Sequence, residues 1–175
     1  MLTWLAPALA APLVFSADDG QVGFHAVASL HEFDGRAGDF RGDFDPATGK
    51  GSVVVTAASL RTGLGPRDSR MLYTCLDVVA FPDIRFDADG LAEAAPVLTA
   101  GAGSGRVLLE GRLRIRDVVQ TVRIPVIVAW EGENLRVTGA LTVPWADFGI
   151  PDPSILISSM RPDVDVRFNL LGHPK

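Results

Sequence analysis

Residues 106–116 read Arg-Val-Leu-Leu-Glu-Gly-Arg-Leu-Arg-Ile-Arg, with apolar side chains on one parity and mainly charged ones on the other. A side-chain period of two indicates a β-strand with one wet face and one dry face. Similar alternation returns in residues 120–130, 135–144 and 163–171. Strands that each have a dry face must bury it against one another or against a second layer. The sequence therefore predicts an all-β domain whose apolar face is turned inward.

The connections between these strands predict mostly antiparallel pairing. Residues 45–49 and 131–134, Asp-Pro-Ala-Thr-Gly and Glu-Gly-Glu-Asn, have the composition of hairpin connectors. Connectors this short cannot make the crossover that parallel strands need. In chain order, the predicted strands are 12–16, 21–30, 36–44, 51–58, 84–88, 106–115, 120–130, 135–144 and 163–171.

Two segments interrupt the strand pattern. Residues 67–76 carry Met71 and Cys75 at helical spacing behind Asp68, which predicts a short helix. Residues 150–161 hold prolines around Ser-Ile-Leu-Ile, which predicts an apolar loop or turn that covers one end of the fold.

Composition describes one globular domain and excludes several function classes. The chain has 175 residues, of which 47% are hydrophobic, enough for one sizeable core. Its net charge of −5 gives no electrostatic reason to bind nucleic acid or an anionic membrane surface. Cys75 is the only cysteine, so no internal disulfide can form. No phosphate-binding or nucleophile-elbow motif is present, and His25 and His31, predicted to face solvent roughly 20 Å apart, cannot share a metal.

An apolar segment, residues 1–14, precedes the predicted β domain at 15–175. Residues 1–15 carry no charge, and Ala8-Leu9-Ala10 has the small-x-small pattern of a signal-peptidase site. No Lys or Arg precedes the apolar run, which is also shorter than the roughly 20 residues of a membrane span. Two interpretations remain open. The segment is either a weak export signal of a periplasmic or otherwise extracytoplasmic protein, or it packs on the domain, with a cytoplasmic location as the alternative.

Small residues share the inward parity of several strands. Ala26 and Ala28 share the parity of Phe24, and Gly111 and Gly139 lie among apolar residues of their own strands. Such residues mark either bulges, corners and close strand contacts, or space left for a ligand. The pattern alone leaves both interpretations open.

Arg67 and Asp68 open the predicted helix and also allow two interpretations. Asp68 is suited to cap the helix and to pair with Arg67, since acidic residues are favoured at helix N-termini. Alternatively, Arg67 lies at the mouth of a cavity, where it meets a polar head group.

Five segments in order resemble motifs of the YceI-like, lipocalin-type polyisoprenoid-binding proteins. They are Phe-Arg-Gly-Asp-Phe-Asp at 40–45, Ala-Ser-Leu-Arg-Thr-Gly at 58–63 with Arg67-Asp68, Phe-Pro-Asp-Ile-Arg-Phe at 81–86, Gly-Arg-Leu-Arg-Ile-Arg-Asp-Val at 111–118 and Ala-Asp-Phe-Gly-Ile at 146–150. The resemblance covers roughly residues 15–171. The sequence departs from the family pattern at Arg116-Asp117, where His-Gly is usual, and at residues 69–72, where His-Leu is usual.

The resemblance implies a single eight-stranded antiparallel, lipocalin-like barrel with a short helix near its mouth. It also implies an exported protein that holds a long-chain isoprenoid or an isoprenoid quinone inside the barrel, without shared catalytic residues. The residues expected to line the apolar cavity are Phe24, Ala26, Ala28, Phe40, Gly42, Phe44, Val53, Val55, Leu113, Val126, Leu141 and Phe168. Those expected at its mouth are Arg67, Met71, Leu72, Ile155 and Leu156.

The predicted partner is therefore an amphiphilic lipid, and no nucleic acid, membrane span, metal or cofactor beyond a bound lipid or quinone is expected. A homodimer is compatible with the sequence. One alternative function is a structural or partner-binding envelope protein with a filled barrel. A lower-ranked alternative is an enzyme that acts on a small hydrophobe, which would need an inward titratable residue. The predicted inward parities contain no His, Asp or Glu.

Overall fold

The computed structural model describes residues 11–91, 93 and 95–175. Most of the apolar segment 1–14 lies outside the described residues, so both interpretations of it stay predictions. The strands are β1 (Leu13–Ser16), β2 (Gln21–Ala28), β3 (Glu32–Ala37), β4 (Phe40–Asp45), β5 (Lys50–Thr56), β6 (Leu60–Arg61), β7 (Asp83–Leu91), β8 (Ser104–Ile115), β9 (Val118–Glu131), β10 (Asn134–Pro144) and β11 (Met160–Pro174). The helical segments are the 3-10 turn Ala57–Ser59, α1 (Gly65–Ser69) with the π-helical turn Arg70–Cys75, α2 (Pro96–Ala100), and the 3-10 turn Trp145–Phe148.

These segments form a closed eight-stranded antiparallel barrel, which confirms the predicted fold. Three of the barrel strands are bent and consist of two segments each: β1 with β2, β3 with β4, and β5 with β6. The two halves of a bent strand have different neighbours, since β4 pairs with β1 and β5 whereas β3 pairs with β2 and β6. The barrel closes where β1 meets β11, with Leu13 opposite Pro174 and Val14 opposite His173.

The predicted strand at 36–44 is wrong, because this stretch contains two strand segments and a turn. β3 begins at Glu32, and the chain bends at Gly38 and Asp39 before β4. The backbone N of Gly38 donates to the carbonyl O of Ser59 at 3.1 Å. The backbone N of Asp39 donates to Oγ of Ser59 at 3.0 Å. These two bonds hold the bend against the neighbouring 3-10 turn. Helix α2 also has no counterpart among the predicted elements.

The β8–β9 hairpin contains the stretch from which the fold was predicted. Its pairing runs without a break from Ser104 opposite Ala129 to Ile115 opposite Val118. Arg116 makes the tight turn with a φ of +56°. The predicted short helix is also confirmed, as α1 and the π-helical turn together form one helix of 11 residues.

Apolar side chains pack in two clusters, one toward each end of the barrel. The first lies at the end where β1 meets β11 and includes Leu13, Leu98 and Leu135, each at most 1% exposed. The second lies beneath α1 and includes Leu60 and Phe148. Apolar side chains therefore pack against the inner wall of the barrel at both ends.

Phenylalanine rings lie over glycines of neighbouring strands and occupy the space that those glycines leave. A Cβ atom on Gly139 would lie 2.5 Å from Cζ of Phe168. One on Gly111 would lie 2.8 Å from Cζ of Phe86. At these two positions the close-contact interpretation of the small residues is therefore correct, because a glycine in a strand lets a neighbouring group approach closely.

Gly42 also serves a contact between strands, which corrects its placement among the cavity residues. A Cβ atom there would lie 2.7 Å from the carbonyl O of Ser52 and 3.0 Å from Cγ2 of Val53. The absence of a side chain lets β4 and β5 approach each other. A large residue at this position would strain the sheet instead of filling a cavity.

Replacing Gly139 by Ala should lower the free energy of unfolding by about 1–3 kcal/mol, because the new methyl group displaces the Phe168 ring. Chemical denaturation measures this quantity. Gly105→Ala in β8 is the matched control, since its Cβ would make only an ordinary contact, 3.4 Å from Cγ1 of Val97. An equal effect of the two substitutions would contradict the role of the ring. The double variant Gly139→Ala/Phe168→Leu should show non-additive coupling, because the two residues are in contact.

Candidate functional site

Two adjoining cavities lie inside the barrel. The larger, of about 520 Å³, lies beside α1, and the smaller, of about 150 Å³, lies toward the end where β1 meets β11. Both are lined predominantly by apolar side chains, and the residues common to their walls are Val22, Val55, Ile84, Leu113, Leu141 and Val166. Because they share these walls, the two cavities follow one another along the barrel.

Small residues of β2 give the larger cavity its width. Phe24, Ala26 and Ala28 border it from one side. In the neighbouring strand β11, Val164 pairs with Ala26 and Met160 with Ala28, and both border the same space. In contrast to the two glycines covered by rings, these alanines border the larger cavity, and the use of that space by a ligand stays a prediction.

Barrel pairing is interrupted between β6 and β7, beside the larger cavity. β5 pairs with β7 as far as Thr56 opposite Asp83. Beyond that point, within the described residues, β6 pairs only with β3. The α1 helix with its π-helical turn occupies this gap, and its Leu72 and Leu76 pack in the same cluster as Leu60. The helix therefore lies at the mouth, as the resemblance implied.

Most of the predicted cavity residues border one of the two cavities, and their contact with a ligand stays a prediction. Those on the larger cavity are Phe24, Ala26, Ala28, Val55, Leu113 and Leu141. Those on the smaller cavity are Phe44, Val53, Val126 and Phe168, together with the shared Val55, Leu113 and Leu141. Phe40 and Gly42 border neither, which corrects both assignments. Phe40 is packed in the core with its ring against Gly20, and Gly42 lies against the backbone of β5.

The predicted mouth residues are divided in the same way. Arg67, Met71 and Ile155 border the larger cavity. Leu72 does not border it. Successive residues of a helix point about 100° apart, so Leu72 points away from the direction of Met71 and is buried in the core. Leu156 lies at the tip of the loop beside Ile155, is fully exposed and does not itself border the cavity, so its place at the mouth stays a prediction.

Several polar residues at the mouth were missed by the sequence analysis. Arg70, Trp145 and Ser158 border the larger cavity, as does His31, which was predicted to face only solvent. β2 ends before His31, and the following turn brings this largely exposed side chain to the opening. A signal for Arg70 was present, because it follows Arg67 by three residues and therefore lies on the same helical face.

Hydrogen bonds join the three segments that frame the mouth. Nη2 of Arg70 donates to the carbonyl O of Ser154 at 3.0 Å, which ties the helix to the 151–159 loop. The N of Ser29 donates to the carbonyl O of Ser159 at 2.8 Å, which ties that loop to the β2–β3 turn. The mouth is thus built from three distant parts of the chain.

Arg67 and Asp68 meet at Thr62, which corrects the interpretation of Asp68 as a helix cap. Oδ1 of Asp68 accepts from the N of Thr62 at 2.8 Å and from its Oγ1 at 2.5 Å. Nε of Arg67 donates to the same Oγ1 at 2.7 Å, and its guanidinium lies 4.1 Å from the centre of the Phe33 ring. Burial alone would raise the pKa of Asp68, but the two bonds from Thr62 and the charges of Arg61 and Arg67 together lower it.

Metal ligation and membrane crossing by helices have no support in the described ranges 11–91, 93 and 95–175. No group of three His, Cys, Asp or Glu side chains in these ranges is arranged to hold a metal ion. Nor do these ranges contain a helix with the length and apolar character that crossing a membrane requires.

A closed antiparallel barrel with an apolar interior and a helix at its mouth defines a lipocalin-like class of small β-barrel domain. Within that class, the chain belongs to the YceI-like domain family, whose family model matches residues 14–171. The match confirms the resemblance found in the sequence. No curated protein is similar enough in sequence to be recognised as a relative.

Solved structures with the same fold come from several bacteria. A polyisoprenoid binding domain from Saccharophagus degradans, implicated in plant cell wall breakdown, has a TM-score of 0.79 at 15% identity, covering 95% of this chain and 99% of its own. BcnA of Burkholderia cenocepacia has a TM-score of 0.72 at 21% identity, covering 87% of this chain and 95% of its own. The YceI protein of Campylobacter jejuni has a TM-score of 0.64 at 18% identity, covering 81% and 84%. At these identities the likeness concerns the fold.

The contribution of Asp68 to stability should depend on pH. The pKa of Asp68 is lowered in the folded protein. Its stabilising contribution is therefore complete at pH values above about 3.9, the pKa of an aspartate in the unfolded chain. It is lost as the pH falls through the lower folded value. Asp68→Asn, which keeps an accepting oxygen but no charge, should lower the free energy of unfolding by about 1 kcal/mol at pH 7.

Urea denaturation of the wild-type protein and of Asp68→Asn at pH 7, 5 and 3 measures the difference between their free energies of unfolding. It should be the same at pH 7 and 5 and smaller at pH 3. Asp117→Asn, in the exposed β8–β9 turn, is the control for removing a surface carboxylate. A difference that persists unchanged to pH 2 would show that the charge of Asp68 is not involved.

Proposed function

We propose that this protein binds one amphiphilic lipid with a long isoprenoid chain, such as a polyprenol or an isoprenoid quinone, inside its barrel. The observation that carries the proposal is the pair of adjoining apolar cavities with an opening beside α1. The description of the Saccharophagus degradans domain as polyisoprenoid binding supports the same ligand class.

The shape of the interior supports a ligand with a tail and a head. The larger cavity, about 520 Å³, has the size typical of small-molecule sites, which run from roughly 300 to 1,000 Å³. The smaller cavity continues deeper into the barrel and is walled by Val126, Phe168 and other apolar side chains. An isoprenoid tail would occupy this narrow part, and the head would remain near the mouth, where Arg67 and Arg70 lie.

Burial of apolar surface would supply most of the affinity. Removing about 400 Å² of hydrocarbon from water contributes on the order of 10 kcal/mol at roughly 25 cal/mol per Å², before the costs of association. The protein would then carry or shield a lipid whose tail is unfavourable in water.

Binding accounts for the interior better than the two alternatives. A structural protein with a filled barrel has no use for a cavity of about 520 Å³. An enzyme that acts on the ligand would need a group for acid–base or nucleophilic chemistry. Of the candidates on the larger cavity wall, His31 is largely exposed, and burial raises the pKa of the Cys75 thiol, which disfavours the reactive thiolate. We therefore propose a binding protein without catalytic activity.

An extracytoplasmic location is part of the proposal. The uncharged residues 1–15 with Ala8-Leu9-Ala10 support export through a weak signal. Cell fractionation of the full chain, with sequencing of its mature N-terminus, tests this point. Retention of an uncleaved chain in the cytoplasm would contradict it.

Native mass spectrometry of the purified protein, together with solvent extraction of its lipids, tests the ligand class. The expected result is one isoprenoid lipid per chain that is released only when the protein unfolds. Finding no lipid, and no uptake of a polyprenol added in excess, would overturn the proposal.

Ala26→Phe should fill part of the larger cavity and lower polyprenol binding about tenfold or more, because the ring takes the place of the tail. Ala26 is itself only 2% exposed, so the ring also displaces neighbouring side chains and should lower the melting temperature by a few degrees without unfolding the barrel. Ile127→Phe is the control, since Ile127 lies in β9 and is 53% exposed. Lipid extraction and thermal melting of both variants give the two quantities. Normal lipid content in folded Ala26→Phe would place the tail elsewhere.

A further inference from the structure

The 151–159 loop exposes two large aliphatic side chains at its tip. Leu156 is fully exposed and Ile157 is 77% exposed. The backbone N of Ile155 donates to the carbonyl O of Ser158, and the reverse bond is also made, both at 2.9 Å. Leu156 and Ile157 are therefore the two central residues of a tight turn. Gly, Pro, Asn, Asp and Ser dominate such turns, so two aliphatic residues here require a reason other than turn formation.

Hydrogen bonds hold the loop behind this tip. Oδ1 of Asp152 accepts from the N of Ser154 at 2.9 Å, and Oγ of Ser154 accepts from the N of Met160 at 2.9 Å. Arg70 and Ser29 bind the loop to the helix and to the β2–β3 turn. The tip is therefore presented to the outside on an anchored base.

Further exposed aliphatic side chains lie in all three segments that frame the mouth. Leu30 is in the β2–β3 turn, Leu64 precedes α1, and Ile155 begins the tip turn. Leu64 and Ile155 also border the larger cavity. We call these exposed residues the apolar rim: Leu30, Leu64, Ile155, Leu156 and Ile157. Apolar surface concentrated in this way marks an interaction site, and here it continues into the cavity.

Cationic side chains stand beside the apolar rim. Arg67 and Arg70 both border the opening, and each uses Nε and Nη2 in hydrogen bonds with the protein. Within the described residues, Nη1 of both arginines is left without such a bond. Aliphatic tips beside guanidinium groups match the boundary of a bilayer, where lipid phosphates lie next to acyl chains.

We propose that the apolar rim docks this protein on the surface of a lipid bilayer, with Leu156 and Ile157 inserted below the phosphate layer. The bilayer is a partner outside the cavity, so the inference goes beyond the proposed function, and it draws on that function because the same opening would admit the lipid. A docked mouth lets an isoprenoid tail pass from the membrane into the barrel without exposure to water, which is unfavourable for apolar surface.

The shape of the tip favours a bilayer over a second copy of the chain or another protein. A stable protein interface buries about 800 Å² on each partner, of which two side chains at a turn supply a small fraction. A bilayer takes up a projecting aliphatic tip without a matching pocket. The net charge of −5 also indicates that apolar insertion, and not attraction to anionic lipid, would hold the protein there.

Flotation of the full chain with phosphatidylcholine vesicles tests the proposal. The wild-type protein should float with these uncharged vesicles, and about 0.5 M NaCl should leave its binding nearly unchanged, because apolar insertion is not screened by salt. Leu156→Ser/Ile157→Ser should lower the partition coefficient about tenfold or more, since two aliphatic side chains no longer enter the acyl region.

Ile127→Ser is the matched control, because Ile127 is also exposed but lies in β9, toward the base of the barrel. It should change the partition coefficient less than about twofold. All three proteins keep residues 1–14, so any contribution of that segment to vesicle binding is the same in each. The melting temperature of the tip variant should equal that of the wild type, since both side chains are exposed.

Equal flotation of the wild type and the folded tip variant would overturn the proposal. So would flotation that requires phosphatidylglycerol in the vesicles and disappears in salt, because charge and not the apolar rim would then hold the protein. A dimer in sedimentation velocity that the tip substitutions dissociate, without flotation of the wild type, would assign the tip to a second copy and also overturn it.

Polyprenol uptake from solution, followed by native mass spectrometry without vesicles, separates this inference from the proposed function. Normal uptake by a wild-type protein that does not float would overturn the docking surface alone. Absence of uptake by a protein whose flotation depends on the tip would overturn the proposed function and support the docking surface.

Discussion

The interior of this barrel is governed by the close fit of phenylalanine rings over glycines in adjacent strands. Phe168 lies over Gly139, Phe86 over Gly111, and Phe15 over Gly172. A closed sheet of eight strands has a fixed circumference, so these rings must be placed where a neighbour leaves space. They narrow one part of the barrel, whereas Ala26 and Ala28 leave the other part wide. The rings line the smaller cavity and the alanines line the larger one, and this distribution gives the interior its shape.

The mouth depends on a second feature, the break in pairing between β6 and β7. Three strands are divided into two segments each, and in the described residues pairing continues from β5 to β7 but not from β6 to β7. The helix that occupies the gap is held by side-chain bonds, such as those of Arg67 and Asp68 with Thr62, and not by a strand ladder. A region stabilised in this way opens at lower free-energy cost than the long β8–β9 ladder. Passage of a ligand would therefore use the helix side of the barrel.

Alternation in the sequence was sufficient to predict the long strands, because β8 to β11 each keep one dry face over many residues. It failed at 36–44, where Phe40 and Phe44 keep the parity but Gly38 and Asp39 bend the chain between two sets of neighbours. Parity also shows which face of the sheet a side chain lies on, but it does not show whether that face borders a cavity or packed side chains. Gly42 and Phe40 were assigned to the cavity for that reason. Ser158 could not be predicted, because its burial depends on a loop whose ends are held by Ser29 and Arg70.

The two ends of the barrel differ in a further respect, since Lys175 donates from its backbone N to the carbonyl O of Pro12 at 2.9 Å. This contact lies beside the β1–β11 closure, while β11 begins at the mouth with Met160. The contacts of Pro12, Leu13 and Val14 with residues 173–175 therefore lie at the base of the barrel, separated from the opening by the length of β11. A change at this closure would act on the base and leave the opening unobstructed.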